Sequence, residues 1–114
     1  MSISLDNTTI GFSHSQSHSL QNSVSYADGA IVSKIVTKKE TGNLTLFAFD
    51  KAQFLSEHTA PFDAIIQIVD GEAKVSINRV DYIVKSGEII IMPADIPHAV
   101  YANTKMKMLL IMIK

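Results

Sequence analysis

From Val24 onward the chain alternates short apolar runs with turn residues, at intervals too short for helical periodicity. Runs of four to eight residues rich in β-branched and aromatic side chains, closed off by Gly, Pro, Asn, Asp or Ser, predict strands. They fall near Ala30–Thr37, Asn43–Phe49, Asp63–Val69, Ala73–Ile77, Val80–Val84, Ile89–Met92, His98–Ala102 and Lys107–Ile113. Between them lie Asp28-Gly29, Thr41-Gly42-Asn43, Pro61, Asp70-Gly71, Asn78-Arg79, Ser86-Gly87, Pro93 with Pro97, and Asn103-Thr104. Across Asn78-Arg79, Ala73, Val75 and Ile77 are in phase with Val80, Tyr82 and Val84, which predicts a hairpin with one apolar face. Short strands at this spacing predict an all-β sandwich or barrel.

Other runs do not alternate. Ile65-Ile66, Ile68-Val69, Ile89 to Met92 and Leu109 to Ile113 are apolar on both faces. A two-layer sandwich leaves its outer faces in water, so the surplus needs cover from the N-terminal segment or from a second copy. The expectation is a homodimer. Residues 1–23 read differently: Ser13-His14-Ser15-Gln16-Ser17-His18-Ser19 is nearly low-complexity, and the segment is expected to form a loose arm or irregular lead-in.

A chain of 114 residues is one domain, large enough to bury about 65% of its unfolded surface. It has no cysteine, which excludes disulfides and thiolate metal sites. Any metal must then use His, Asp, Glu or water, which favours Mn, Fe, Ni, Co, Cu or Zn. Ten basic and eleven acidic residues are scattered, with no basic block, so nucleic acid is not an expected partner. Met1 to Ile10 lacks the pattern of a signal peptide, and the apolar run Met108–Ile113 is too short to span a bilayer. The expectation is a cytoplasmic soluble protein with no membrane contact.

Candidate chemistry concentrates in Gly87 to His98: a turn, an apolar strand, a corner stiffened by Pro93 and Pro97, then a histidine. A histidine held on rigid backbone suits metal binding or proton transfer. This stretch resembles the second signature of the cupin superfamily, in its small single-domain members of the conserved-barrel type. That signature runs G, five residues, P-x-G, two residues, H, three residues, N; here Gly87, Pro93 and His98 match, Asp95 replaces the second glycine and Ala102 the asparagine. The first signature runs G, five residues, H-x-H, three or four residues, E, six residues, G. Anchored on Gly71, it places Ala52 at the leading glycine, His58 and Ala60 at the histidines, and Ala64 at the glutamate.

The resemblance covers about residues 24–114 and implies a double-stranded β-helix, or jelly-roll, barrel. It also implies four metal ligands, of which only His58 and His98 remain. They are the candidate metal residues, for a divalent ion such as Zn, Ni, Mn or Fe completed by waters. The other reading is that they are remnants bonded to each other, to water or to a small molecule. Strand parity puts 58, 60 and 64 on the barrel side with Ile66 and Ile68, and turns Asp63 and Gln67 outward unless a bulge intervenes. Glu57 and Asp63 flank His58 and read as solvated charges, with orientation of an imidazole as the alternative.

Phe47, Phe49, Phe54, Tyr82, Met92 and Tyr101 are candidates for a pocket at the barrel mouth, with Asp63 and Gln67 as its polar members; the aromatic residues equally suit plain core. Met106, Met108 and Met112 share a strand face, as a core layer or a dimer seam. His14 and His18 would share a face only on a helix, and the serines around them favour incidental surface histidines. Three functions follow: a module binding a small molecule or a weakly held metal at His58 and His98, a metal-dependent dioxygenase or isomerase, and a stand-alone sensory barrel. Loss of two ligands favours binding over catalysis.

Overall fold

A computed structural model describes residues 11–114, and those residues contain nine strands and no helix. They are β1 (Ile31–Lys39), β2 (Gly42–Phe49), β3 (Phe54–His58), β4 (Asp63–Asp70), β5 (Glu72–Ile77), β6 (Val80–Lys85), β7 (Ile89–Met92), β8 (His98–Ala102) and β9 (Met106–Ile113). The eight expected strands lie within two residues of their predicted ends. The ninth, β3, has no apolar run to announce it, since Ser56-Glu57-His58 is polar.

The strands form two antiparallel sheets, ordered β1-β2-β9-β4-β7 and β3-β8-β5-β6. This is the all-β double-stranded β-helix. Every pairing within the sheets is antiparallel, so side chains alternate between the barrel interior and its outside. The interior takes Phe49, Ala64, Ile66, Ile68, Met92, Met106 and Met108 from the larger sheet. From the smaller sheet come Ala73, Val75, Val84, Val100 and Ala102. Asn78 and Arg79 turn the β5–β6 hairpin with φ of 51° and 65°. Positive φ at both central residues is the primed turn that matches strand twist, and it sets the expected register Ile77↔Val80, Val75↔Tyr82 and Ala73↔Val84.

The turn after β4 needs glycine for two reasons. Gly71 has φ of 75°, and a Cβ there would sit 2.0 Å from the Lys105 carbonyl oxygen. No other residue fits this crossing of the β4–β5 and β8–β9 connections.

A second, smaller core lies outside the barrel. Leu46 and Ala48 on the outer face of β2 are covered by Val24, Phe12, Leu20 and Tyr26. Residues 11–30 form turns and bends and are mostly exposed, but Phe12, Leu20, Val24 and Tyr26 turn inward and pack. The Phe12 amide donates to the Val36 carbonyl at 2.8 Å. Lys107 is buried beneath the segment, its ammonium over the Tyr26 ring at 4.9 Å and bonded to the Gln21 carbonyl. Tyr26 donates to Asp70 at 2.6 Å. Val69, one of the surplus apolar residues, packs against the same core, so the lead-in supplies part of the cover expected for them. The part of it before residue 11 lies outside the described residues.

Among the described residues, part of the outer surface of the larger sheet is exposed. Ile89, Ile91 and Ile113 are 62%, 58% and 56% exposed. The register sets Ile65 between Ile91 and Ile111, so the isoleucines form one patch over β7, β4 and β9.

Candidate functional site

His58 faces the barrel because β3 carries one extra residue. Leu55 pairs with Val100 and His58 with His98, so three steps on β3 oppose two on β8. Leu55 packs against the interior. Simple alternation would then turn position 58 outward, and the bulge at Ser56-Glu57 turns it back. Bulges re-aim side chains in this way, and the polar sequence gave no sign of it.

His98 is held from the other side. The Asn78 amide donates to the Pro97 carbonyl at 2.8 Å, and the Asp95 amide to the Ala60 carbonyl at 2.8 Å. The Ala94 amide donates to the Asp63 carboxylate at 2.9 Å. The Pro93–Pro97 corner is thus tied to the β3–β4 loop and to the β5–β6 turn. His98 is only 4% exposed, while His58 sits exposed at the rim.

The two imidazoles meet at the mouth of a cavity of about 90 Å³. Their Nε2 atoms are 3.2 Å apart, with ring planes inclined at 70°. The rest of the lining is apolar and includes Ala60, Ala64, Met92, Met108 and Met112. Positions 58, 60 and 64 therefore share the barrel side as parity predicts, and Ile66 joins them.

Each ring's Nδ1 lies against a backbone carbonyl, Ser56 at 2.6 Å from His58 and Ile96 at 3.1 Å from His98. A carbonyl only accepts, so we assign the Nδ1–H tautomer to both rings, which leaves each neutral ring's lone pair on Nε2. Two lone pairs then face each other at 3.2 Å. That contact is repulsive unless a positive charge lies between them, either a proton on one ring or a metal ion. Protonation of His98 is opposed by its burial, which holds its pKa below the ordinary 6.5; the Ile96 carbonyl works the other way, and the nearby His58 adds to the lowering.

Of the expected pocket residues, only Met92 lines this cavity. Phe47 points inward and packs on the core beside Phe49, their ring centroids 6.0 Å apart. Tyr101 and Phe54 pair across the outer face of the smaller sheet, where Tyr101 sits under the Lys74 ammonium. With Glu57 and Ser76 they line a shallow groove of about 350 Å³ on the opposite side of that sheet. Tyr82 is exposed on the edge strand β6. Strand β4 keeps its register from Asp63 to Ile68, so Asp63 and Gln67 stay outside and add nothing polar to the cavity. Glu57 pairs with Arg79 at 3.4 Å on the surface. His14 lies on a turn, and His18 bonds the Ser13 carbonyl at 2.9 Å, with no helix to align them. Sequence reasoning missed Met108 and Met112 as lining of the histidine cavity.

A resident divalent ion of the kind the resemblance implies does not fit this donor set. Alanines stand at two of its four ligand positions, and among the described residues no three His, Cys, Asp or Glu side chains converge.

Comparison with known proteins gives a consistent result. The family model described as "Cupin domain" matches residues 46–114. A conserved protein of unknown function from Streptococcus pyogenes is 32% identical, covers 93% of each chain and superposes with a TM-score of 0.87. A cupin 2 conserved barrel domain protein from Leptotrichia buccalis is 44% identical over 80% of this chain, with a TM-score of 0.77; this chain spans 44% of its length. A cupin superfamily protein from Desulfitobacterium hafniense shares the fold at 19% identity and a TM-score of 0.85, over 92% of this chain and 96% of that one. A search of curated proteins found no match.

Proposed function

This chain belongs to the cupin family, and from that premise we propose that it is a binding module rather than a catalyst. Its site is the barrel mouth, and its ligand is held through His58 and His98. One observation carries the reading: the two Nε2 atoms face each other at 3.2 Å, and with both rings protonated at Nδ1 that spacing calls for a cation between them. With metal–nitrogen bonds of about 2.0–2.1 Å, nitrogens about 3.3 Å apart subtend roughly a tetrahedral angle at the metal. The observed spacing is close to that bite.

A divalent ion held by two imidazoles alone would be weak and exchangeable, since structural sites use four protein ligands and catalytic ones about three. The dioxygenase and isomerase readings need that third side chain, and Ala60 and Ala64 supply none. The cavity volume equals the liquid volume of about three waters, so it suits an ion with a small co-ligand or a compact organic molecule.

Metal analysis and native mass spectrometry of untagged protein test this, with His58→Ala and His98→Ala as controls. The expected result is an ion or small molecule bound to the native protein and lost from both variants. Equal content in all three proteins would refute the site.

A further inference from the structure

The cavity under the two histidines is lined with thioethers, and their placement follows from sheet register. Ala64 on β4 lies directly between Met92 on β7 and Met112 on β9. The position that the family signature gives to a glutamate is thus an alanine flanked on both sides by methionine. All three residues line the same cavity as His58 and His98. Met108 lies deeper on the same face of β9, opposite Ile68.

We propose that this site binds a soft monovalent metal ion, Cu(I), through the Nε2 atoms of His58 and His98 and the sulfurs of Met92 and Met112. The proposal rests on the binding role assigned to the histidine pair above and specifies its ligand. Three arguments converge on it. Thioether sulfur is a soft donor that selects Cu(I), whereas Mn, Mg and Ca prefer oxygen donors. Methionine has three rotatable bonds, so a sulfur lining the cavity adjusts its position more readily than a branched side chain would.

The third argument is charge. All four donors are neutral, and the cavity contains no carboxylate. The cost of burying an ion grows as the square of its charge, so a divalent ion costs about four times as much here as a monovalent one. A site with glutamate offsets that cost with its own negative charge. Replacing glutamate by alanine between two methionines removes the offset and adds soft donors. Both changes disfavour a hard divalent ion and favour Cu(I).

The test uses the full chain, untagged, under anaerobic reducing conditions. Cu(I) affinity is measured by competition with a chromogenic Cu(I) chelator, and Zn(II), Ni(II) and Mn(II) are titrated in parallel. The variants are Met92→Leu, Met112→Leu and the double variant; Leu conserves volume and removes only the sulfur. Ag(I), which is redox-inert, is added to protein with isotopically labelled methionine methyl groups.

The expected result is one Cu(I) per chain, held more tightly than any of the divalent ions. The double variant should lose at least the roughly 10- to 100-fold that even outer-shell changes cost at metal sites. Ag(I) should shift the methyl resonances of Met92 and Met112, and leave that of Met106, which lies outside the cavity lining, in place. Zn(II) binding at least as tight as Cu(I), or Cu(I) affinity unchanged in the double variant, would overturn the proposal. The histidine variants separate the two readings. If they abolish binding while the methionine variants do not, only the Cu(I) assignment falls. If they abolish nothing, the histidine site falls with it.

Discussion

Ala52 and Asp95 hold backbone angles that L side chains resist, with φ of 71° and 64°. Both stand where the two cupin signatures carry glycine, so a side chain here sits on backbone that favours glycine. The left-handed region costs an ordinary residue about 1–2 kcal/mol, while glycine loses about 0.5–1 kcal/mol of extra chain entropy. Ala52→Gly should therefore stabilise the protein by about 0.5 kcal/mol, read as a higher midpoint in urea. Asp95→Gly should be close to neutral, because aspartate tolerates this region through local hydrogen bonds, and Asp95→Val should destabilise by about 1–2 kcal/mol. His98 makes a second prediction at this scale. Its native pKa lies below 6.5, so between that value and 6.5 the unfolded chain binds more protons than the folded one. Its contribution to stability is complete above pH 6.5 and is lost as pH falls through the lowered native value. Urea titrations of metal-free wild type and His98→Asn at pH 8 and pH 5 should show a steeper loss in the wild type.

At the scale of elements, the N-terminal segment is held by hydrogen bonds as well as by packing, and the Tyr26–Asp70 bond is one of them. Burial, with the Asp70 carboxylate as hydrogen-bond acceptor, pushes the Tyr26 phenol well above its ordinary pKa, and the ring also receives the ammonium groups of Lys105 and Lys107. Tyr26→Phe keeps the ring and removes the hydrogen bond, and should cost about 1 kcal/mol in chemical denaturation. Eight strands were legible because each is a β-rich run ended by a turn residue. The hairpin register was legible because Ala73, Val75 and Ile77 alternate cleanly with polar neighbours. Strand β3 was not legible: its ladder is short, its sequence is polar, and its bulge breaks the period of two on which strand reading depends. The site was half legible for the same reason. Spacing found His58 and His98, but only cross-strand register shows that Met92 and Met112 flank Ala64. Tyr101 was assigned to the mouth because an aromatic residue near His98 suits a pocket, but its odd offset from His98 puts it on the outer face.

For the whole molecule, the isoleucine patch over β7, β4 and β9 is exposed apolar surface that residues 11–30 do not cover. Among the described residues, strand β7 is also an edge strand of its sheet, beside that patch. A second copy related by a two-fold axis would cover both at once, because the same patch serves each partner. The expected outcome is a dimer at micromolar concentration by light scattering. The double variant Ile89→Lys/Ile91→Lys should shift it to monomer with the barrel intact by circular dichroism; a strict wild-type monomer would remove the dimer from the account.

Strand β9 lies at the centre of the larger sheet, hydrogen-bonded to β2 on one side and β4 on the other. Its partners lie far from it in sequence: Gly42 meets Ile113, and Asp63 meets the same residue. During synthesis, β2 and β4 therefore emerge from the ribosome long before the strand that joins them. At about 5–20 residues per second, β2 waits several seconds with apolar surface on both faces. The barrel can close only after residue 113 is clear of the exit tunnel, and a ribosome stalled earlier holds two sheet fragments with open edges. Non-local closure of this kind folds on a scale of about milliseconds to seconds. Nascent chains arrested before β9 should consequently be protease-sensitive throughout and recruit chaperones, while release of the last strand should bring protection to β2 and β4 together.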